Sequence, residues 1–599
     1  MVKIMQDGRN ILSTFDIETV KLLTGELWEL EKGCSYADFP AVAEYCREAL
    51  IRSGFENVEI LEHRADGAST SFDCTMPPAW DICGRSFLQI AGENTILADT
   101  AQIPYAAAPW SAPTPPGGVT GQLIALAPGE TADVSGKWVL LTIKDGSNPR
   151  GIHLQQLYRQ GAVGVAVMEE KSGSDYPDAV RWFNGTGQFG WYPVSGEPRL
   201  PVFALSGAVG KMLLSRLEAG EVVLHGVMNT RIYSGRIFTI TGVIPGKSTA
   251  EYALFSHIYE PFAADNSLGF GAICAIGNAL RQSCGTPRKT LRAVFSMELY
   301  GFAAFLADSS RASRIAGALN MDAVNHRKQR LLRFSNSPLA MPWFGDWVLP
   351  AILNDPRTGT KFITTPGTLS DDTFAGDPLC GGIPVNWCMN PSGSAHHCGC
   401  ADFEPDWQWA AEELPLFAAA IEKMVQITPQ DAAMFPAMAV TDFGQQSEII
   451  SNMPVSRREK VLLLETWYQY LLGRLTSAEK YCETRLDKSE LEKIRTAAIS
   501  AVSGSAEFAV SVIEKQAAAV IPVRLKATAF SLADIPLDVR KSFRVSRLLY
   551  SLFDGRKNLL EAIRITDWLT GTRSDDDAIK KELDTLKYLV EYGYITLTA

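Results

Sequence analysis

The sequence predicts an α/β fold, a mixed β-sheet flanked by helices that also carries a β-rich insertion and a helical tail. Three observations predict it. Apolar runs of strand length, such as Ile237-Phe238-Thr239-Ile240 and Tyr252-Ala253-Leu254-Phe255, alternate with stretches of helical periodicity such as residues 269–281. A break rich in proline and glycine, Ala108-Pro109-Trp110-Ser111-Ala112-Pro113-Thr114-Pro115-Pro116-Gly117-Gly118, separates one unit from the next. Beyond about Ala418 the strand-like runs stop and apolar residues recur only at helical spacing. The 599 residues, 46% of them apolar, are enough for several cores. The expected division is an amino-terminal part of the core domain over 1–111, an insertion over 112–230, the rest of the core domain over 231–425, a helical region over 426–530 and a terminal unit over 531–599.

Each element has its own signal. Between residues 17 and 53 the positions Val42, Tyr45, Cys46, Ala49, Leu50 and Ile51 lead up to Ser53-Gly54, which predicts an opening helix pair. Residues 58–63 and 86–90 read as short strands around the loop Met76-Pro77-Pro78-Ala79-Trp80-Asp81. The span 119–228 is strand-rich: 121–126, 137–142, a helix closing at Gly161-Ala162-Val163-Gly164 with a strand after it, then 200–206 and a helix over 209–219. Two core strands follow at 237–244 and 252–257. Helices are expected at 461–472 and 491–502. The last 69 residues read as three helices, 543–552, 559–568 and 577–592, and a short strand over 594–597.

Composition excludes several classes of function. The stretch Met1-Val2-Lys3-Ile4-Met5-Gln6-Asp7 has no charged-then-apolar signal pattern, and no run of about 18 apolar residues occurs, so the expectation is a soluble, cytoplasmic protein with no membrane span. Eleven scattered cysteines fit reduced, buried thiols better than a disulfide framework. A net charge of −11 argues against a nucleic-acid surface, which needs a concentrated basic face.

The stretch that carries chemistry is Ser256-His257-Ile258-Tyr259-Glu260-Pro261-Phe262-Ala263-Ala264-Asp265-Asn266-Ser267-Leu268-Gly269, an imidazole and a carboxylate between a strand and a helix. Downstream come Glu298 in Phe295-Ser296-Met297-Glu298-Leu299-Tyr300-Gly301, Asp322 in Leu319-Asn320-Met321-Asp322, and the pair His396-His397. Four nitrogen or oxygen ligands with one spare carboxylate suit a hydrolytic zinc centre. Ligands at the carboxyl ends of such strands share one crevice.

In this order and context the motifs resemble the co-catalytic zinc aminopeptidase family over about residues 236–415, with 1–111 completing the same domain. The resemblance implies an aminopeptidase-like fold and a zinc-dependent exopeptidase acting on a peptide or amide substrate. It also implies His257, Asp265, Asp322 and His397 as metal ligands, Asp265 bridging two ions, and Glu298 as general base. His396 is the alternative to His397, because the aspartate expected after that histidine stands at Asp402 with one extra residue between. The segment 112–230 resembles the protease-associated domain inserted in many exopeptidases, and 531–599, with Leu552-Phe553-Asp554-Gly555-Arg556-Lys557 and Leu589-Val590-Glu591-Tyr592-Gly593-Tyr594-Ile595, resembles a winged-helix domain.

Two departures bear on the cofactor. Leu299 stands where the family has a second consecutive glutamate, and Tyr259 where it often has a carboxylate that orients the histidine. Glu260, Asp371, Asp372, or Cys398 and Cys400 are the candidates to compensate. The expectation is one tightly held zinc with a weak or absent second. The alternative function is a catalytically silent relative acting as a peptide-binding or regulatory module.

The remaining signals read as structural. Cys398-Gly399-Cys400 is spaced too closely for a metal knuckle, and His63, His153, His225 and His326 read as hydrogen-bonded packing residues, as does Trp407-Gln408-Trp409. From Ser531 onward 11 basic residues face 11 acidic ones, so homo-oligomer contact is expected of the tail rather than nucleic-acid binding.

Overall fold

A computed structural model of the chain describes residues 9–144, 151–183, 186, 192–370, 372–504, 510–527, 532, 534–540, 543 and 545–598. The stretch 1–7 and Asp371 lie outside the described residues. The architecture is a large mixed sheet flanked by helices, as the alternation of strand and helix signals predicts.

The main sheet has eight strands in the order Glu56–Ala65, Gly235–Ile244, Lys289–Met297, Ser248–Ile258, Ile315–Met321, Val385–Met389, Leu331–Pro338 and Lys361–Gly367. Four adjacent strands, Lys289–Met297 through Val385–Met389, run parallel. Their sequences are near-continuous apolar runs because helices and loops cover both faces. The chain leaves Ser248–Ile258 for a neighbour on one side, then returns to a neighbour on the other. At such a reversal the loops at the carboxyl ends part and leave a crevice.

The opening helix pair is Ile17–Glu31 and Phe39–Arg52. Ile17–Glu31 packs on the long helix Ser267–Cys284, which carries the chain from Ser248–Ile258 to Lys289–Met297. Asp16 caps the first of these helices by accepting from Glu18 N. The only charged residue on the buried side of Ile17–Glu31 is Glu31, in its last turn.

A second sheet of seven strands runs Val202–Ala204, Gly164–Glu169, Trp138–Ile143, Val119–Leu126, Val223–Val227, Phe87–Ile90 and Ile96–Asp99. Its first four strands are parallel, with helices Gly151–Arg159 and Glu170–Asp175 in the connections, and helix Gly207–Ala219 leads on to the antiparallel strand Val223–Val227. Two of its strands come from ahead of residue 112.

Helices Phe435–Asn452, Arg457–Cys482 and Ser489–Ala501 follow the core. They are tied to it by Asp346, a buried carboxylate that accepts from Ser337 N at 2.8 Å, Asn386 Nδ2 at 2.6 Å, Tyr470 Oη at 2.7 Å and Arg474 Nε at 2.8 Å. The last segment has helices Arg547–Ser551, Leu559–Thr570 and Asp576–Glu591, and its terminal strand Ile595–Thr598 pairs antiparallel with Ile521–Arg524. The first of these helices is shorter than the periodicity predicts, because Ser546 caps it by accepting from Leu549 N. All eleven cysteines are free thiols. Among the described residues no helix is long and apolar enough to cross a membrane.

Candidate metal centre

Strand register assembles the site. Phe255 pairs with Asn320 and His257 with Ser296, so His257 and Asp322 leave their neighbouring strands at the same level, and Glu298 follows one step beyond. His257 Nε2 lies 3.0 Å from Asp322 Oδ1 and 3.1 Å from Asp265 Oδ1. The other oxygen of Asp265, Oδ2, lies 3.2 Å from His397 Nε2. One carboxylate thus faces two imidazoles, one with each oxygen. Among the described residues, ligand atoms fall within 4.8 Å of one another in three groups: His257, Asp265 and Asp322; Asp265, His396 and His397; His257, Glu260 and Glu298.

The loop that delivers Asp265 is held at both ends. Asn266 Nδ2 donates to Ser256 Oγ at 2.9 Å and to Met321 O at 2.7 Å, tying the helix start to two strand ends. Gly269 sits so close that a Cβ would come within 2.3 Å of Ser256 Oγ and 3.0 Å of Met321 O, which explains the glycine of the Asp-Asn-x-x-Gly turn. Glu31 closes the loop from outside. Its Oε2 accepts from Tyr259 N at 2.6 Å and its Oε1 from Ser267 Oγ at 2.7 Å. Tyr259 has φ +77° and stacks on Phe39 at 3.8 Å, so its ring turns into the core and Glu260 turns into the site.

Electrostatics follow from this crowding. Burial alone lowers the pKa of His257, but its hydrogen bonds to Asp265 and Asp322, with the charges of Glu260 and Glu298, hold it well above the ordinary histidine value. Burial acts likewise on His397, and the pairing with Asp265 and Glu260 outweighs it, raising the group to about 9. Burial raises Asp265 too, but its two imidazole partners win and hold it well below the usual range. Glu260 and Asp322 are raised, burial first and the Asp265 charge also contributing. Carboxylates at this density need positive charge among them. Glu260 is only 3% exposed, and His397 Nε2, 3.5 Å from its Oε2, meets it at longer than a well-formed hydrogen bond. A divalent cation among imidazole nitrogens and carboxylate oxygens fits this donor set.

Every site residue read from the sequence sits in this one crevice: His257, Asp265, Asp322, His397 and Glu298. His396 stacks on His397 with ring centroids 3.8 Å apart, and burial pushes its pKa well down. Tyr259 offers His257 no hydrogen bond, and His257 Nδ1 is buried without a partner. Cys398 and Cys400 hydrogen-bond to each other and join no ligand group among the described residues. Asp372 accepts from Asn320 Nδ2 at 3.0 Å, and Asp402 accepts from Tyr176 Oη at 2.7 Å.

Sequence reading missed three contributors. Trp387 Nε1 donates to Asp322 Oδ2 at 3.1 Å, Trp182 meets His397 edge-on at 4.9 Å, and Glu31 clamps the loop. The Trp387 indole was findable, since the run Val385-Asn386-Trp387-Cys388 has the composition of a strand adjoining the crevice. Trp182 and Glu31 carry no local signal.

Comparison with solved structures places the chain's architecture in a known fold. A peptidase M28 precursor from Shewanella amazonensis SB2B is similar with a TM-score of 0.52 at 14% identity, over 71% of this chain and 96% of that one. A zinc aminopeptidase from Bacillus subtilis matches with a TM-score of 0.49 at 16% identity, over 70% of this chain and 96% of that one. An aminopeptidase from Aneurinibacillus sp. strain AM-1 matches with a TM-score of 0.46 at 14% identity, over 69% and 95%. The fold is aminopeptidase-like. Neither a protein-family model nor a curated protein sequence matches the chain.

Proposed function

We propose that the chain is a zinc-dependent exopeptidase that removes amino-terminal residues from peptides. The observation that carries this reading is the division of Asp265 between His257 and His397, the posture of a carboxylate bridging two metal positions. His257, Asp265 and Asp322 would hold one ion, with His397 rather than His396 on the far side of Asp265 because its Nε2 meets the free oxygen of Asp265. Bound there, zinc supplies Lewis-acid polarisation of the scissile carbonyl and of water.

The rest of the chemistry belongs to side chains. Glu298, within reach of His257 and Glu260 but on the strand end, takes a proton from the attacking water and returns it to the departing amine. Trp387 holds the second oxygen of Asp322, which fixes that carboxylate toward His257. Trp182 and Phe262, packed with Ala395 and Phe403, keep bulk water from the His397 side. Residues 112–230, which supply Trp182, act in this reading as a protease-associated insertion covering the site. Residues 531–599 act as a winged-helix-like unit for contact between copies.

A silent relative that binds peptides without cleaving them is the second reading, favoured by Leu299 and by the unpartnered His257 Nδ1. Elemental analysis after zinc loading, run beside a panel of aminoacyl reporters, tests the proposal. Bound zinc with reporter cleavage supports the peptidase. Less than about one tenth of an ion per chain, with no cleavage, overturns it in favour of the silent reading.

A further inference from the structure

We infer that Arg333 selects substrates that carry a carboxylate, binding that group at the edge of the crevice. The inference deepens the peptidase reading and rests on it for the crevice taking a peptide. Strand direction puts Arg333 there. Val385–Met389 runs parallel to Ile315–Met321, so its last residue stands at the carboxyl edge, where Asp322 leaves the sheet. Leu331–Pro338 runs the other way beside it, with Arg333 opposite Met389 and Ser335 opposite Trp387. Opposite residues of an antiparallel pair share a face, so Arg333 and Trp387 are diagonal neighbours on it. The Arg333 guanidinium lies over the Trp387 ring, its Cζ 4.8 Å from the ring centroid, and the same indole donates to Asp322 Oδ2 at 3.1 Å. One aromatic ring thus links this cation to a proposed metal ligand.

The fold offers the guanidinium few acceptors. Among the described residues its acceptor is the Met389 thioether, a weak one, and its Nε is buried without a hydrogen-bond partner. It forms no ion pair among them, although two carboxylates are near: burial lowers its pKa, and the charges of Asp322 and Asp372 oppose that. Both carboxylates are engaged elsewhere, Asp322 by Oδ1 with His257 and by Oδ2 with Trp387, and Asp372 by Oδ1 with Asn320. Basic residues just ahead in the chain have stronger acceptors, Lys328 in Tyr176 and Asp402, and Arg330 in Glu412. Arg333 is half-buried, so part of its donor fork stays open. A carboxylate matches such a fork with two parallel hydrogen bonds, and stacking on an indole holds the fork in place to receive it. The carboxylate comes from the side chain of an acidic amino-terminal residue or from the free end of a dipeptide.

The test compares Met-Ala amide, which has no carboxylate, with Glu-Ala amide, which has one on its first side chain, and with Met-Ala, which has one at its end. Cleavage by the zinc-loaded full chain is followed by chromatography. Dissociation constants are measured by calorimetry with zinc-loaded Glu298→Gln, whose turnover is expected to be lost. With Arg333 present, one carboxylate-bearing peptide should be favoured over Met-Ala amide by about 10–150-fold, the worth of a hydrogen bond to a charged group, and which one it is identifies the source. Arg333→Met should bring that ratio to within about threefold, and Arg333→Lys should keep part of it. Each ratio is taken within one preparation, so any loss of zinc or of folded protein cancels. No preference for either peptide with Arg333 present, or an unchanged preference in Arg333→Met, overturns the inference, and cleavage of Met-Ala amide then leaves the peptidase reading standing. A preference in binding that Arg333→Met abolishes, with no peptide cleaved, upholds the inference and overturns the peptidase reading in favour of the silent one. Neither binding nor cleavage of any of the three overturns both.

Discussion

Glu298 and Glu31 are both glutamates at the edge of the crevice, yet they do different work. Glu298 shares a ligand group with His257 and Glu260, whereas Glu31 touches only the loop, through Tyr259 N and Ser267 Oγ. Glu298→Gln should therefore lower aminoacyl-reporter turnover by about 10²–10⁴-fold, the worth of a positioned base, with zinc content unchanged by elemental analysis. Glu31→Ala should leave the chemistry intact but free the loop. Losing two hydrogen bonds to a buried carboxylate costs about 1–3 kcal/mol, and the expected reading is about 10–100-fold weaker zinc affinity in a chelator competition. The two glutamates also differ in how readable they are. Glu298 follows a strand-like run and precedes Tyr300-Gly301, so its place at a strand end is visible. Glu31 closes a helix whose other charged residues are solvent-exposed, and its burial is decided by a loop 228 residues away. Glu260 was visible as a residue but not as a direction, because its aim depends on Tyr259 adopting a left-handed φ of +77°, for which a tyrosine gives no signal.

At the level of elements, strands were legible where both faces are buried and pairing was not. Apolar runs marked Gly235–Ile244 and Ser248–Ile258, but which strand lies beside which depends on crossovers with no local signature, and Lys289–Met297 comes between the two. The second sheet illustrates this: Phe87–Ile90 pairs with Val223–Val227 across more than a hundred residues. The edge strand Glu56–Ala65 gives a test of packing through pH. Its His63 Nε2 lies 2.9 Å from Thr239 Oγ1, and burial lowers its pKa from 6.5 to about 4. Above pH 6.5 the ring is neutral in folded and unfolded chains alike. As pH falls below that value the unfolded chain takes up a proton that the folded one refuses, so stability drops until about pH 4. The loss amounts to about 2–3 kcal/mol. In His63→Gln thermal melts between pH 7 and pH 4 should fall less steeply than in the wild type. An equal slope in both would remove His63 as the cause.

Across the whole molecule, the carboxyl-terminal segment is joined to the core by a few buried polar contacts. Arg524 Nη1 meets Asp377 Oδ2 at 2.6 Å with both side chains buried, and Tyr594 Oη donates to Asp73 Oδ1 at 2.7 Å. Asp377 lies in the loop before the core strand Val385–Met389, and Arg524 ends the strand paired with Ile595–Thr598. One ion pair thus couples the terminal unit to the sheet that carries the metal centre. Removing one partner of such a pair leaves the other charge buried and costs about 3–5 kcal/mol. Arg524→Met should place that cost on the attachment and not on the site, which lies at the other end of Val385–Met389, beyond Met389. The segment should then open from the core at least about 100-fold more often, since each 1.4 kcal/mol is about a factor of ten. When cleavage is slower than reclosing, proteolysis reports that population directly. Limited proteolysis of Arg524→Met should therefore release a fragment bearing residues 545–598 at least about 100-fold faster than from the wild type, while zinc content stays the same. Equal release rates would mean that the apolar packing of Trp568 on Trp467, and not the ion pair, holds the segment in place.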